Sequence, residues 1–152
     1  MSTMGEEAAR RSDTRRVILD ARPPAVFEAI SDPDRLARWW GPDGFTNTIH
    51  RFDFEPGGTW TLTMHGPDGT AYPNESRFTR LVPDALFEIE HLTGHHFILT
   101  IELRAVEDRT EVSWTQTFDT VAHYQRLASF VAGANEQNLR RLRAEVARVS
   151  GA

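Results

Sequence analysis

Between Thr46 and Phe118 large apolar residues alternate with polar ones at period two, and after Thr120 the spacing changes to that of a helix. The pattern therefore predicts a run of antiparallel strands followed by one long helix. Thr46 to Phe54 sets His50, Phe52 and Phe54 on one face against Asn47, Ile49, Arg51 and Asp53 on the other. After the turn Pro56-Gly57-Gly58, the residues Trp60, Leu62 and Met64 alternate with threonines. Gly66-Pro67-Asp68-Gly69 makes the next turn, and Ala71 to Val82 carries Tyr72, Asn74, Ser76 and Phe78 against Glu75, Arg77 and Thr79. Three further strands are predicted at Leu86 to Leu92 (Phe87, Ile89, His91), His96 to Arg104 (Phe97, Leu99, Ile101, Leu103) and Arg109 to Phe118 (Val112, Trp114, Gln116, Phe118).

Ahead of this meander, Thr14 to Ala21 reads as a first strand with Val17 and Leu19 on its apolar face. Pro23 and Pro24 open a short helix, where a missing N–H does no harm, and Val26, Phe27 and Ile30 form its stripe. Asp32 reads as the N-cap of a second short helix, Asp34 to Trp39, with Pro33 at its first position. The final helix, Thr120 to Val149, shows a stripe of Leu127, Val131, Ala134, Asn138 and Leu142 beside Phe130, Leu139 and Val146. Gly133 inside it costs about 1 kcal/mol against alanine, so a slight kink or a close approach to the sheet is expected there. Residues 1–13 read as a flexible polar tail and residues 14–152 as a single α+β domain, a curved antiparallel sheet whose apolar face the last helix covers.

Composition narrows the chemistry. The chain has 152 residues, enough for one ordinary hydrophobic core, and no cysteine, which excludes disulfides, thiolate metal sites and cysteine nucleophiles together. Its net charge of -5 gives no global attraction to nucleic acid or to an anionic membrane surface. All 17 basic residues are arginine, so lysine Schiff-base chemistry is absent. The first residues hold no apolar segment of the kind that directs export, and a cytoplasmic location and no membrane insertion are expected. No HExxH, GxSxG, P-loop or GxGxxG pattern occurs, so metal, hydrolase, kinase and dehydrogenase readings lack a motif, and no cofactor is implied. His95 and His96 are adjacent, which on a strand sends them to opposite faces, so a turn or loop role is expected rather than a shared metal. The acidic residues Asp53, Glu75, Glu88, Glu90, Glu102 and Glu111 read as a solvated outer face, and so do Arg140, Arg141, Arg143 and Arg148 on the last helix, where Glu136 precedes Arg140 by one turn.

Several segments carry a family resemblance. Phe27-Glu28-Ala29-Ile30-Ser31-Asp32-Pro33, then Trp39-Trp40-Gly41-Pro42, Pro56-Gly57-Gly58-Thr59-Trp60, Gly66-Pro67-Asp68-Gly69-Thr70 and Tyr72-Pro73-Asn74-Glu75 succeed one another in an order that resembles the branch of the START-like (SRPBCC) superfamily named for the activator of the heat-shock protein 90 ATPase. The likeness runs from about Thr14 to Val149. It implies the helix-grip fold, with about seven strands around the C-terminal helix, two short helices closing one end, and a ligand cavity between sheet and helix. It also admits a chaperone partner, and a cyclase- or hydrolase-like enzyme acting on aromatic or polyketide-type substrates, because one scaffold hosts many activities.

The residues themselves favour a non-catalytic site for a hydrophobic or amphipathic small molecule. Phe52, Trp60, Leu62, Met64, Phe78, Phe87, Leu99 and Trp114 on the strands, with Val131 and Ala134 on the helix, supply the apolar walls such a site requires. His50, Asn74, His91, Gln116 and Asn138 interrupt those walls. Each must pair inside the protein, bind water or meet a ligand, because an unpaired buried polar group costs about 1–3 kcal/mol. Of the double tryptophan, one indole is expected in the core and the other, Trp40, at the sheet edge or as a gate to the cavity. Edge strands of such a sheet also offer a route to a homodimer.

Overall fold

The computed structural model describes residues 3–150. A short helix α1 (Thr3–Arg10) precedes β1 (Ser12–Leu19); α2 (Pro23–Ser31) and α3 (Pro33–Trp39) come next. The remaining elements are β2 (Thr46–Phe52), β3 (Thr59–His65), β4 (Ala71–Val82), β5 (Leu86–His91), β6 (Phe97–Val106), β7 (Arg109–Phe118) and α4 (Val121–Ser150). A helix and the first two residues of β1 thus stand where the composition predicts a polar tail, while Met1, Ser2, Gly151 and Ala152 lie outside the described residues. Ser12 begins the strand early because its hydroxyl reaches the Ala8 carbonyl at 2.5 Å and the Thr117 hydroxyl at 2.7 Å.

The seven strands form one antiparallel sheet in the order β1-β7-β6-β5-β4-β3-β2. Only the β1–β7 pairing is not between chain neighbours; α2 and α3 bridge from β1 to the far edge at β2 and close one end. Asp32 caps α3 as its sequence predicts, its carboxylate accepting from the Asp34 N–H at 2.9 Å with Pro33 at the first helical position. Two register shifts bend the sheet, one between Ile49 and Arg51 and one between Phe78 and Arg80. The long helix α4 lies against the concave face, and Leu139, Leu142 and Val146 are buried in the core.

The lower half of the grip is filled by aromatic rings. Phe52 stacks on Phe54 at 5.3 Å, and Trp60 lies parallel to Phe78 at 6.1 Å. Phe87 and Phe27 close the cluster against Phe54. All four tryptophans of the chain meet above it, with Trp40 at 4.9 Å from Trp60 and 6.0 Å from Trp114, and Trp39 at 5.6 Å from Trp40.

Two acidic residues on faces expected to be solvated are buried instead. Glu88 is buried on the outer face under Arg80, which binds both of its oxygens, and it accepts from Thr79 and Thr100 as well. Those bonds, Arg80 foremost, hold its carboxyl below the usual range against the opposing effect of burial. Glu145 on α4 is 5% exposed and is bound by Arg35 of α3 at 2.9 Å and by Arg148. Glu136 pairs with Arg15 of β1, at 2.7 Å, and Arg140 with Asp43, so the expected Glu136–Arg140 pair gives way to tertiary ones.

Gly133 makes no close approach: a Cβ there meets nothing within 4 Å. Gly133→Ala is therefore expected to raise stability by about 1 kcal/mol, through helix propensity alone. Urea unfolding measures it, and an unchanged or lower midpoint shows that the helix needs the glycine. Gly58 is the opposite case, since a Cβ there falls 1.9 Å from the Asp53 carbonyl oxygen.

Candidate functional site

Above the aromatic floor, sheet and α4 separate around a cavity of about 580 Å³. That volume lies within the range of roughly 300–1,000 Å³ typical of small-molecule sites. Trp60, Leu62 and Met64 of β3, Leu99 of β6 and Trp114 of β7 form its sheet wall, and Val131 and Ala134 its helix wall. Trp40, Gly41, Pro42 and Phe45 close one side; Thr93, Gly94 and His95, from the β5–β6 loop, border another. Phe130, 70% exposed, and Tyr72 stand at the rim.

Twelve of the sixteen expected residues surround this cavity. Trp40, Trp60, Leu62, Met64, Asn74, His91, Leu99, Trp114, Gln116, Val131, Ala134 and Asn138 all line the cavity. Phe52, Phe78 and Phe87 do not; they point inward but are consumed by the aromatic floor beneath it. His50 is a correction of another kind. It is the residue at the β2 register shift, so it turns outward, is exposed and bonds the Thr63 hydroxyl at 2.8 Å. Asn47 and Ile49 take the inward positions before the bulge, and Phe52 resumes after it. Ser76 and Asn135 also line the cavity, together with the loop positions Thr93 to His95, and none of these stands among the residues predicted from sequence. Alternation already puts Ser76 on the inward face, whereas Asn135 sits one residue beyond Ala134 of the helical stripe.

The polar groups of the wall fall into three arrangements. Asn138 is structural: its Oδ1 accepts from the Gly41 N–H at 3.3 Å and its Nδ2 donates to the Trp39 carbonyl at 3.1 Å. His91 is held from both ring nitrogens, Nδ1 lying 2.7 Å from the His95 carbonyl oxygen and Nε2 2.5 Å from Asn74 Oδ1, while its ring stacks on Phe97 at 4.5 Å. Gln116 belongs to a relay that starts at Arg15, which binds Asp13 through Nε at 3.0 Å and Nη2 at 3.2 Å. Asn135 Nδ2 then donates to Asp13 Oδ2 at 3.0 Å and to Gln116 Oε1 at 3.1 Å. The Trp60 and Trp114 indole N–H groups are buried and have no hydrogen-bond partner among the described residues.

One arginine secures the closing segment. Arg141 of α4 donates to the carbonyls of Trp40, Gly41 and Pro42 through Nη1 (3.2, 2.8 and 2.8 Å) and to those of Arg38 and Phe45 through Nη2 (3.0 and 2.8 Å). Asn47 adds bonds from Nδ2 to the Ala37 and Trp40 carbonyls. Trp40 therefore forms a fixed wall and not a free gate, and Trp39, its Nε1 on the Ala29 carbonyl, belongs to the core.

Known proteins share this arrangement of sheet and helix. Residues 20–147 match the family model described as Activator of Hsp90 ATPase homolog 1-like protein. The chain belongs to this family. Solved structures with the same fold include a protein from Arthrobacter aurescens, 24% identical, with a TM-score of 0.85 over 93% of this chain and 89% of the other. A protein from Nitrosomonas europaea, 16% identical, superposes with a TM-score of 0.84 over 92% of this chain and 96% of that one. The AHSA1-like protein from Aeromonas hydrophila, 20% identical, gives 0.68 over 87% and 93%. None of the curated proteins compared matches the chain. Family membership brings with it the helix-grip fold of the SRPBCC superfamily, and no helix among the described residues is long and apolar enough to cross a membrane.

The anchor and the loop are each open to test. Arg141→Lys keeps the charge but loses the planar fork, and is expected to cost about 2 kcal/mol in urea unfolding by leaving carbonyls unpaired. An unchanged midpoint refutes the anchoring role. The two imidazoles on either side of the β5–β6 loop are expected to titrate in opposite directions from the usual 6.5. Burial pushes His91 down, whereas hydrogen bonding to Glu90, and further to Asp119, raises His96. By linkage, the His96 contribution to stability is complete below 6.5 and is lost as pH rises through its raised value; the His91 contribution is lost as pH falls from 6.5 toward its lowered one. Imidazole proton chemical shifts against pH test both, and coincident midpoints contradict the prediction.

Proposed function

We propose that this protein is a non-catalytic binding protein that holds one hydrophobic or amphipathic small molecule between its sheet and α4. The observation that carries the reading is the cavity of about 580 Å³, walled by tryptophan, leucine and methionine side chains where the fold would otherwise close its core. Apolar surface left open in this way is a standing driving force for a ligand, at about 25 cal/mol per Å² buried before ordering costs. The polar side chains of the wall support binding over catalysis. His91 has both nitrogens facing protein oxygens, and Asn138 is committed to the backbone. Neither is free to move a proton in a reaction.

Native mass spectrometry of protein purified from its own host, followed by denaturing extraction, tests the reading directly. A retained small molecule is the expected result. An empty protein whose melting temperature no lipid or aromatic compound shifts moves the assignment to a partner-binding module, for which a chaperone recovered in a pull-down is the discriminating observation. A second test uses the neutral dye N-phenyl-1-naphthylamine and Ala134→Trp, which places an indole in the helix wall of the cavity. The variant is expected to fold and to bind the dye at least about tenfold more weakly; equal binding by a folded variant shows that the dye sits elsewhere.

A further inference from the structure

We infer that the ligand is an uncharged molecule whose apolar body carries a carbonyl-type oxygen, and that this oxygen accepts a hydrogen bond from Gln116 Nε2. The inference rests on the binding function proposed for the cavity and narrows it to a ligand class.

Charge is the first argument. Among the described residues no arginine, aspartate or glutamate lines the cavity, although charged residues make up 26% of the chain. The carboxylate of Asp13 stands behind Asn135 and is already matched by Arg15. A carboxylate, sulfonate or phosphate carried inside would lose its water without gaining a cation, a penalty of several kcal/mol. Two imidazoles border the cavity: burial lowers the pKa of His91, and His95 is exposed, with Nδ1 2.9 Å from His123 Nε2.

The second argument is the orientation of one amide. Asn135 must turn its Nδ2 toward the Asp13 carboxylate, because only a donor can face that group. The same Nδ2 reaches Gln116, so Gln116 must present Oε1 to it. Its Nε2 is thereby left as a donor with no partner among the described residues, on the wall of the cavity. Across the grip, the Ser76 hydroxyl is likewise unpartnered among the described residues, on a residue only 2% exposed, and it too lines the cavity. The indole N–H groups are buried, whereas the Gln116 amide and the Ser76 hydroxyl stand unpartnered on residues of the wall. An oxygen acceptor on an otherwise apolar molecule satisfies the amide without leaving a new polar hydrogen buried.

Three dyes separate the terms: neutral N-phenyl-1-naphthylamine, which lacks a carbonyl; the neutral ketone 6-propionyl-2-(dimethylamino)naphthalene; and the anion 8-anilinonaphthalene-1-sulfonate. Gln116→Met, similar in shape, is expected to weaken the ketone about tenfold while leaving the arylamine within about twofold, the signature of one lost hydrogen bond. The sulfonate is expected to bind at least about tenfold more weakly than the ketone. Equal losses for ketone and arylamine, no loss for the ketone, or a sulfonate as tight as the ketone each overturn the inference while the binding function of the cavity stands. Failure of the arylamine to bind the wild-type protein overturns that function and this inference with it. Should Gln116→Met not fold, the carbonyl stretch of the ketone bound to wild type decides: a downshift from its position in acetonitrile, a polar solvent without a strong hydrogen-bond donor, supports the hydrogen bond, and no downshift refutes it.

Discussion

Much of this molecule hangs on the bonds between one guanidinium and five backbone carbonyls. Arg141 gathers the oxygens of Arg38, Trp40, Gly41, Pro42 and Phe45, at 2.8 to 3.2 Å, and so welds α4 to the segment that leaves α3. Desolvation lowers its pKa from the usual arginine value, yet the group remains a cation, because carbonyl dipoles and not a carboxylate do most of the holding. Without that weld the turn at Gly41, which has a φ of +99°, would leave several carbonyls short of donors, and Trp40 would have no fixed place over the cavity. Asn138, one turn earlier on the helix, completes the attachment from the Gly41 N–H and the Trp39 carbonyl.

The second constraint is curvature. A sheet of seven strands must bend to grip a helix, and the two register shifts, at His50 and at Thr79, lie on strands β2 and β4 toward one edge. Each inserts a residue without a cross-strand partner and exchanges the faces of the residues beyond it. Phe52 and Phe54 therefore close over Phe78 and Phe87, fill the lower grip and leave the upper half open. Floor and cavity are thus two outcomes of the same bending.

Period and punctuation make nearly the whole fold legible. Alternation at Trp60, Leu62 and Met64, and again at Val112, Trp114 and Gln116, is strict, and those strands stand where the pattern predicts. The Asp32-Pro33 cap is as clear. Legibility stops where the physics is nonlocal. A bulge leaves no mark in period two, so alternation alone puts His50 on the wrong face. Inward orientation does not tell floor from wall, because that depends on which rings meet across the grip, and Phe52, Phe78 and Phe87 illustrate the difference. Arg141 and Glu145 have the pattern of a solvated helix face, since a helix wheel does not show that a loop or a second helix will cover it. The α1 helix is hidden by a short polar composition with no apolar stripe long enough to register.

The placing of charge links stability to the site. Arg77–Glu90, Arg80–Glu88 and Arg104–Glu111 lie across the outer face of the sheet, while Arg35, Glu145 and Arg148 tie α3 to α4. The exposed pairs contribute at most about 1 kcal/mol each, but the buried Glu145 would be costly to strip of its partners. With the ionic contacts at the periphery and the aromatic floor below, the upper interior is not required to close the fold. Among the described residues it is lined by no arginine, aspartate or glutamate, and the Asp13 carboxylate behind it orients an amide. The shell carboxylates paired with arginine, Glu88, Glu90, Glu111 and Glu145, all lie off the cavity wall.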